Sequence, residues 1–303
     1  MASRPATAIH PALTRLGAAL GDYARLIRLD RPVGFWLLLW PALWGLWLAT
    51  HGAPHEQVFA VFVAGVFLMR SAGCAINDFA DRRVDSQVWR TRDRPLAAGR
   101  IRPVAAIVVY ALLSAAAFAL VLTLNRLTQL YALGAAFLTI VYPFLKRYTS
   151  LPQVWLGAAF SWSIPMAFAA ETGAVPRIAW LLFLAGVVWA VVYDTMYAMA
   201  DRPDDLKAGV RSSAILFGEA DRVVIGVLQI LVLYALWLVG SNAQLGRWYR
   251  ISLGVGALLF VYQQWRIRDR EPEACLIAFR NNQWFGLVVF LGFLLDSVLR
   301  QRP

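Results

Sequence analysis

Apolar runs of membrane-crossing length, separated by short polar stretches, recur along the whole 303-residue chain. A helix needs roughly 18 or more mostly apolar residues to cross a bilayer, and it satisfies its own backbone hydrogen bonds while doing so. The pattern predicts about nine membrane helices, over residues 33–50, 57–76, 104–123, 128–144, 153–170, 178–199, 222–240, 250–265 and 283–299. The alternating segments of a membrane β-barrel are not seen. The predicted fold class is therefore all-α, a polytopic membrane protein. Residues 1–22 are expected to form an N-terminal cytoplasmic arm, and 23–303 a single transmembrane domain.

Composition supports this reading. The chain is 60% hydrophobic and 16% charged, against about a quarter charged for soluble domains. The net charge of +11 could suggest nucleic acid, but no basic stripe is interleaved with stacking aromatics, so none is expected as a partner. The cations instead write topology. About 22 of the 29 Lys and Arg fall in the arm and in the loops near 77–103, 145–152, 200–221 and 266–282, and about 6 on the other side. The positive-inside rule puts the rich side in the cytoplasm. Residues 1–22 show no cleavable signal pattern. Cys74 and Cys275 lack metal-ligand spacing and are expected to be small packing residues rather than a disulfide.

Two acidic clusters interrupt this oily chain, and each falls where an apolar run ends on the cytoplasmic side. The first is Asn77-Asp78-Phe79-Ala80-Asp81-Arg82-Arg83-Val84-Asp85; the second is Asp201-Arg202-Pro203-Asp204-Asp205. A carboxylate at the centre of a membrane helix costs roughly 2.5–3.5 kcal/mol, so such groups persist where they face a cavity, pair with charge or bind ions. If the helix over 57–76 continues, Asn77, Asp81 and Asp85 share one face, where like charges repel unless a cation sits among them. Asp194, Tyr197 and Asp201 share a stripe in the second half. Pro203 is expected to end that helix near Asp201 and start a short new one.

Paired aspartates beside a membrane suit a magnesium–diphosphate site. Mg²⁺ takes oxygen ligands and is commonly held by one or two carboxylates plus substrate phosphates. Arg82, Arg92, Arg94, Lys146, Arg147 and Lys207 are available to clamp the remaining phosphate oxygens. A diphosphate ester with its tail in the bilayer is a prenyl donor, and its ionisation needs no histidine, cysteine or serine nucleophile. His10, His51 and His55 lie in the arm or on the opposite side. Arg70 and Asp194 lie deeper, as site residues or as a buried structural pair. A solvated helix end with salt bridges would explain one cluster, but two on one side argue against it. A secondary transporter with acidic ion sites is the rival class, although such sites favour the bilayer midplane.

These residues resemble the UbiA superfamily of intramembrane aromatic prenyltransferases. The carrying motifs are Asn77-Asp78-x-x-Asp81-x-x-x-Asp85, Asp201-x-x-x-Asp205 and Arg94-Pro95-Leu96-x-x-Gly99. Further stretches are similar to its 4-hydroxybenzoate polyprenyltransferase branch: Arg28-Leu29-Asp30-Arg31-Pro32-Val33-Gly34, Tyr142-Pro143-Phe144-Leu145-Lys146-Arg147-Tyr148-Thr149, and Tyr193-Asp194-Thr195-Met196-Tyr197. The resemblance spans residues 22–299. It implies nine membrane helices around a central cavity, capped by helical cytoplasmic loops, in a bacterial inner membrane with the active site facing the cytoplasm. It implies Mg²⁺-dependent transfer of a polyprenyl group from polyprenyl diphosphate to the 3-position of 4-hydroxybenzoate, in ubiquinone biosynthesis.

Carried over by that resemblance, Asp81, Asp85, Asp201 and Asp205 are Mg²⁺–diphosphate ligands, with Asn77 in the same shell. Arg82 and Arg147 recognise diphosphate or carboxylate, with Lys146 and Tyr142 as further substrate contacts. The acceptor carboxylate needs a cation from Arg147, Lys146 or Arg70, and Asp194 is the candidate base for the phenol. Pro203 departs from the family, whose members often carry Asp there. Homogentisate, dihydroxynaphthoate or haem are the alternative acceptors.

Overall fold

The computed structural model describes residues 11–86, 91–145, 148–209 and 211–300. It is all-helical among those residues. In chain order the helices are α1 (Pro11–Leu26), α2 (Val33–Ala49), α3 (Glu56–Asp85), α4 (Pro103–Val121), α5 (Arg126–Leu145), α6 (Pro152–Ser161) and α7 (Ser163–Thr172). There follow α8 (Arg177–Ala208), α9 (Ser213–Phe217), a short 3₁₀ turn (Gly218–Ala220), α10 (Asp221–Asn242), α11 (Arg247–Arg266) and α12 (Pro272–Arg300). Among the described residues, five stretches are long and apolar enough to cross a membrane: Glu56–Asp85, Pro103–Val121, Arg177–Lys207, Ser213–Asn242 and Pro272–Leu299. The chain is thus a multi-pass membrane protein.

α2 is apolar on all sides, and a helix of that kind belongs in the interior. Leu37, Trp44 and Leu46 are fully buried, and the helix packs against α7, α8 and α12. Trp44 stacks obliquely on Trp189 of α8, ring centres 5.1 Å apart, and its Nε1–H donates to the Gly286 carbonyl of α12 at 3.1 Å. Gly286 permits this approach. A Cβ there would fall on the Trp40 indole and 2.9 Å from Trp189 Cη2. Gly286→Val should therefore lower stability by about 1–3 kcal/mol through overpacking, read as a lower melting temperature in detergent. An unchanged melting temperature would show that α2 and α12 can part there freely.

α4 lies at the periphery, with Val104 and Leu112 about two-thirds exposed, as a lipid-facing helix requires. The long helices place the site. α3 has 30 residues and α8 has 32, about 45–48 Å at 1.5 Å per residue. The hydrocarbon layer is about 30 Å thick. Both helices are therefore longer than a hydrocarbon crossing needs, and the acidic clusters lie in their last turns.

Three expectations need correction. Helix α8 passes through Pro203 without a break and ends at Gly209, whose left-handed φ of 66° lets its N–H reach the Asp205 carbonyl. The proline costs roughly 3 kcal/mol in a helix interior, so packing around this turn overrides it. The segment predicted over 153–170 is two helices that meet at Trp162. Pro165 explains the bend, since it has no N–H for the Ser161 carbonyl. α12 starts at Pro272, well before residue 283. Its first turns bury Cys275 and Ala278, and further on Asn282 is fully buried and accepts from Trp189 Nε1 at 2.9 Å. Residues 11–26, which run from the arm into the chain before α2, are helical.

Candidate functional site

A cavity of about 1230 Å³ opens among helices α2 to α8, the first turns of α12 and their flanking loops. Asn77, Asp78, Asp81 and Asp85 reach it from α3, and Asp194, Tyr197, Asp201 and Asp205 from α8. The two clusters, far apart in sequence, thus face one space. Its deeper wall is apolar, with Val61, Phe62, Val66, Phe118, Val121 and Met166 among its lining. One compartment therefore joins a carboxylate-rich mouth to a greasy interior.

The mouth is electrostatically organised around a buried aspartate. Asp78 is 1% exposed. It accepts from Arg28 Nη2 at 2.6 Å and from Arg94 Nη1 at 3.2 Å. Arg94 Nη1 also donates to Asp85 at 2.7 Å. Burial pulls the Arg94 guanidinium's pKa down, but Asp78 and Asp85 outweigh it and leave it above its ordinary value. Arg28 has a left-handed φ of 59°, a conformation that costs a non-glycine residue about 1 kcal/mol or more. Its bonds to Asp78 and to the Arg25 carbonyl, at 2.9 Å, hold it there. Asp78 thus acts through charge compensation, tying the chain before α2 and the loop before α4 to α3.

Arg70 lines the cavity two helical turns before Asn77. Its Nη1 donates to Cys74 Sγ at 2.8 Å, and its buried Nε has no hydrogen-bond partner among the described residues. A Cβ on Gly34 would collide with the Arg70 guanidinium, so the glycine in α2 leaves room for that head group. Tyr142 of α5 and Tyr193 of α8 also line the space. Arg82 does not line it. Its Nη1 donates to the Phe79 carbonyl at 2.6 Å, and the guanidinium lies over the Phe79 ring at 4.4 Å. At i+1 from Asp81 it points off the face that Asn77, Asp81 and Asp85 share. Lys146 and Arg147 lie outside the described residues.

Sequence reasoning assigned no role to Arg28, Asp78 or Tyr193. The Asn77-Asp78 pair and the stretch from Arg28 were noticed as motifs, but periodicity cannot show that Arg28 folds back fifty residues later in the chain. Both cysteines are free and buried, as expected.

No group of three or more His, Cys, Asp or Glu side chains converges tightly enough to chelate an ion among the described residues. Carboxylates and an amide on opposite walls nevertheless supply hard oxygen ligands. That arrangement fits Mg²⁺ in its usual mode, where substrate phosphates complete the shell.

An all-helical membrane protein with a carboxylate-rimmed, apolar-walled chamber is the class that this fold and site define. The chain belongs to the UbiA prenyltransferase family, whose model matches residues 38–292. It is 55% identical over 284 residues to a 4-hydroxybenzoate octaprenyltransferase of Saccharophagus degradans, covering 94% of this chain and 95% of that one. It is 53% identical over 294 residues to the Pseudomonas aeruginosa protein of the same name, covering 97% and 99%. Among solved structures, an apo UbiA homologue from Aeropyrum pernix matches with a TM-score of 0.77 at 22% identity, covering 86% of this chain and 97% of that one. A UbiA homologue from Archaeoglobus fulgidus bound to GPP and Mg²⁺ matches with a TM-score of 0.67 at 21% identity, covering 92% and 98%. At such identities these structures speak to the fold.

Proposed function

We propose that this chain is a 4-hydroxybenzoate polyprenyltransferase, moving a polyprenyl group from its diphosphate to the 3-position of 4-hydroxybenzoate in ubiquinone biosynthesis. The observation that carries the reading is the convergence of both aspartate clusters on one cavity whose depth is apolar. The names of relatives at 53–55% identity over nearly the whole chain give the acceptor.

Asp81, Asp85, Asp201 and Asp205 hold the metal, and Asn77 contributes its amide to the same shell. Mg²⁺, when bound there with substrate, neutralises the diphosphate and improves it as a leaving group. The apolar wall takes the tail and keeps water from the allylic carbon. That carbon loses its bond to the diphosphate oxygen and forms one to the ring carbon beside the phenol. The ring then gives up a proton. Arg70 grips the acceptor carboxylate two turns deeper, and Asp194 takes the phenol proton, making the ring a stronger nucleophile. Lys146, Arg147 and Tyr142 remain candidates for the diphosphate's outer oxygens.

Nine spans with the N-terminus inside fit the cation distribution, α6 and α7 serving as one bent span. That topology sets the cavity mouth on the cytoplasmic side of a bacterial inner membrane, with residues 23–303 as one domain. The experiment is direct. Membranes bearing the protein are incubated with labelled 4-hydroxybenzoate, a polyprenyl diphosphate and Mg²⁺, with and without a chelator. A lipid-soluble product that the chelator abolishes is expected; no Mg²⁺-dependent product would sink the proposal.

A further inference from the structure

The buried carboxylate of Asp221 lies outside the cavity, within reach of Arg202 in the second acidic motif. Pro203 sits between Asp201 and Asp205 in an unbroken helix. It removes the backbone donor that would bond to Met199 and crowds the preceding turn. The turn that carries the two proposed ligands is therefore held less firmly by its own ladder than the matching turn of α3.

Arg202, between Asp201 and Pro203, is not among the residues lining the cavity. Its guanidinium turns toward the loop after α8. Nη1 lies 3.4 Å from the Gly218 carbonyl and 3.6 Å from Asp221 Oδ2, and Nη2 lies 3.8 Å from Glu219 Oε1. Asp221 is 0% exposed and heads α10. Arg270, from the loop between α11 and α12, grips the same carboxylate with Nε at 3.1 Å and Nη2 at 2.9 Å, and donates to the Glu219 carbonyl at 2.8 Å. Asp221 also accepts from the Arg222 backbone N–H at 2.7 Å. A buried carboxylate satisfied this fully, and itself pinned by Arg270, is a rigid anchor for Arg202.

The geometry points to Asp221 as a positioning residue. Through Arg202 it fixes the proline-weakened turn so that Asp201 and Asp205 face the cavity together. The inference rests on the metal role proposed for those two aspartates. Partners that orient metal-binding carboxylates typically matter by 10–100-fold in affinity when removed.

The test uses the full-length protein in nanodiscs. Mn²⁺ binding in the presence of inorganic pyrophosphate is followed by EPR, beside the melting temperature. Arg202→Gln should weaken Mn²⁺ binding by roughly tenfold or more, with the melting temperature near that of the wild type, because Asp221 keeps Arg270. Arg202→Lys should recover part of the affinity. Asp221→Asn should weaken binding similarly, and the double variant should be no worse than the weaker single one, since both act through one contact. If Asp221→Asn does not fold because it strands Arg270, Arg202→Gln decides. A folded Arg202→Gln with wild-type Mn²⁺ affinity overturns the inference. Asp205→Ala separates the two ideas. If it loses Mn²⁺ while Arg202→Gln keeps it, only the brace is wrong; if Asp205→Ala binds as wild type, the metal assignment fails and the brace with it.

Discussion

Asp81→Asn and Asp205→Asn should each reduce turnover by roughly a thousandfold or more while leaving the protein inserted and folded. The argument is electrostatic. Each change removes one negative charge and one strong oxygen ligand, but keeps the side-chain volume. The two residues sit on helices from opposite halves of the chain and face the same cavity. Losing either leaves the leaving group's charge less compensated when the carbon–oxygen bond breaks. Losing one preorganised electrostatic contact of this kind costs about 3–4 kcal/mol, or two to three powers of ten in rate, and a metal ligand also lowers occupancy. The two variants should show a shared signature, with part of the loss recovered by raising Mg²⁺. Single-turnover rates at saturating prenyl diphosphate, measured across a Mg²⁺ series, read this out. Full activity in either variant would remove that residue from the proposed diphosphate site.

The site was more legible than the joints around it. Asn77, Asp81 and Asp85 could be put on one face from spacing alone, because a helix that exits the bilayer keeps its period. The structure places all three on the cavity. Asp201 and Asp205 were harder, since Pro203 is a strong local signal for a break. That signal lost to tertiary context, in which Arg202 is held by a loop and by Asp221. The start of α12 was hidden for a related reason. Arg280, Asn281 and Asn282 look like a loop to a hydropathy window, yet Gln263 donates to Asn281 at 2.9 Å and Asn282 is buried against Trp189. Polar residues with partners inside a membrane bundle are indistinguishable in sequence from polar residues in water. A helix sends successive side chains about 100° apart, so Arg82 leaves the face that Asp81 occupies although the two are neighbours in the motif. The Arg28–Asp78–Arg94 network was not legible, because nothing local encodes a contact between the chain before α2 and the start of the first motif.

Arg70 is expected to carry acceptor recognition, so Arg70→Leu should raise KM for 4-hydroxybenzoate by about a hundredfold with little change in KM for the prenyl diphosphate. A charged group matched to a carboxylate in a secluded pocket is worth roughly 2–5 kcal/mol when one partner is truncated, and about 2.7 kcal/mol is a factor of a hundred. Arg70 suits the task because its guanidinium is in the cavity, with Nε lacking a hydrogen-bond partner among the described residues. A planar fork matches a carboxylate better than an ammonium does, so Arg70→Lys should recover only part of the affinity. Gly34 gives an independent handle. A methyl group there would strike the guanidinium itself, which is the free end of a flexible side chain. Gly34→Ala should therefore re-aim Arg70 while the bundle stays folded, and should raise the acceptor KM in the same direction. The decisive comparison is with 4-hydroxybenzamide, which keeps the ring and phenol but has no charge. Wild type should prefer the acid strongly, and Arg70→Leu should lose most of that preference. If the variant still discriminates between acid and amide as wild type does, the carboxylate is read elsewhere in the cavity, and Lys146 or Arg147 becomes the residue to change next.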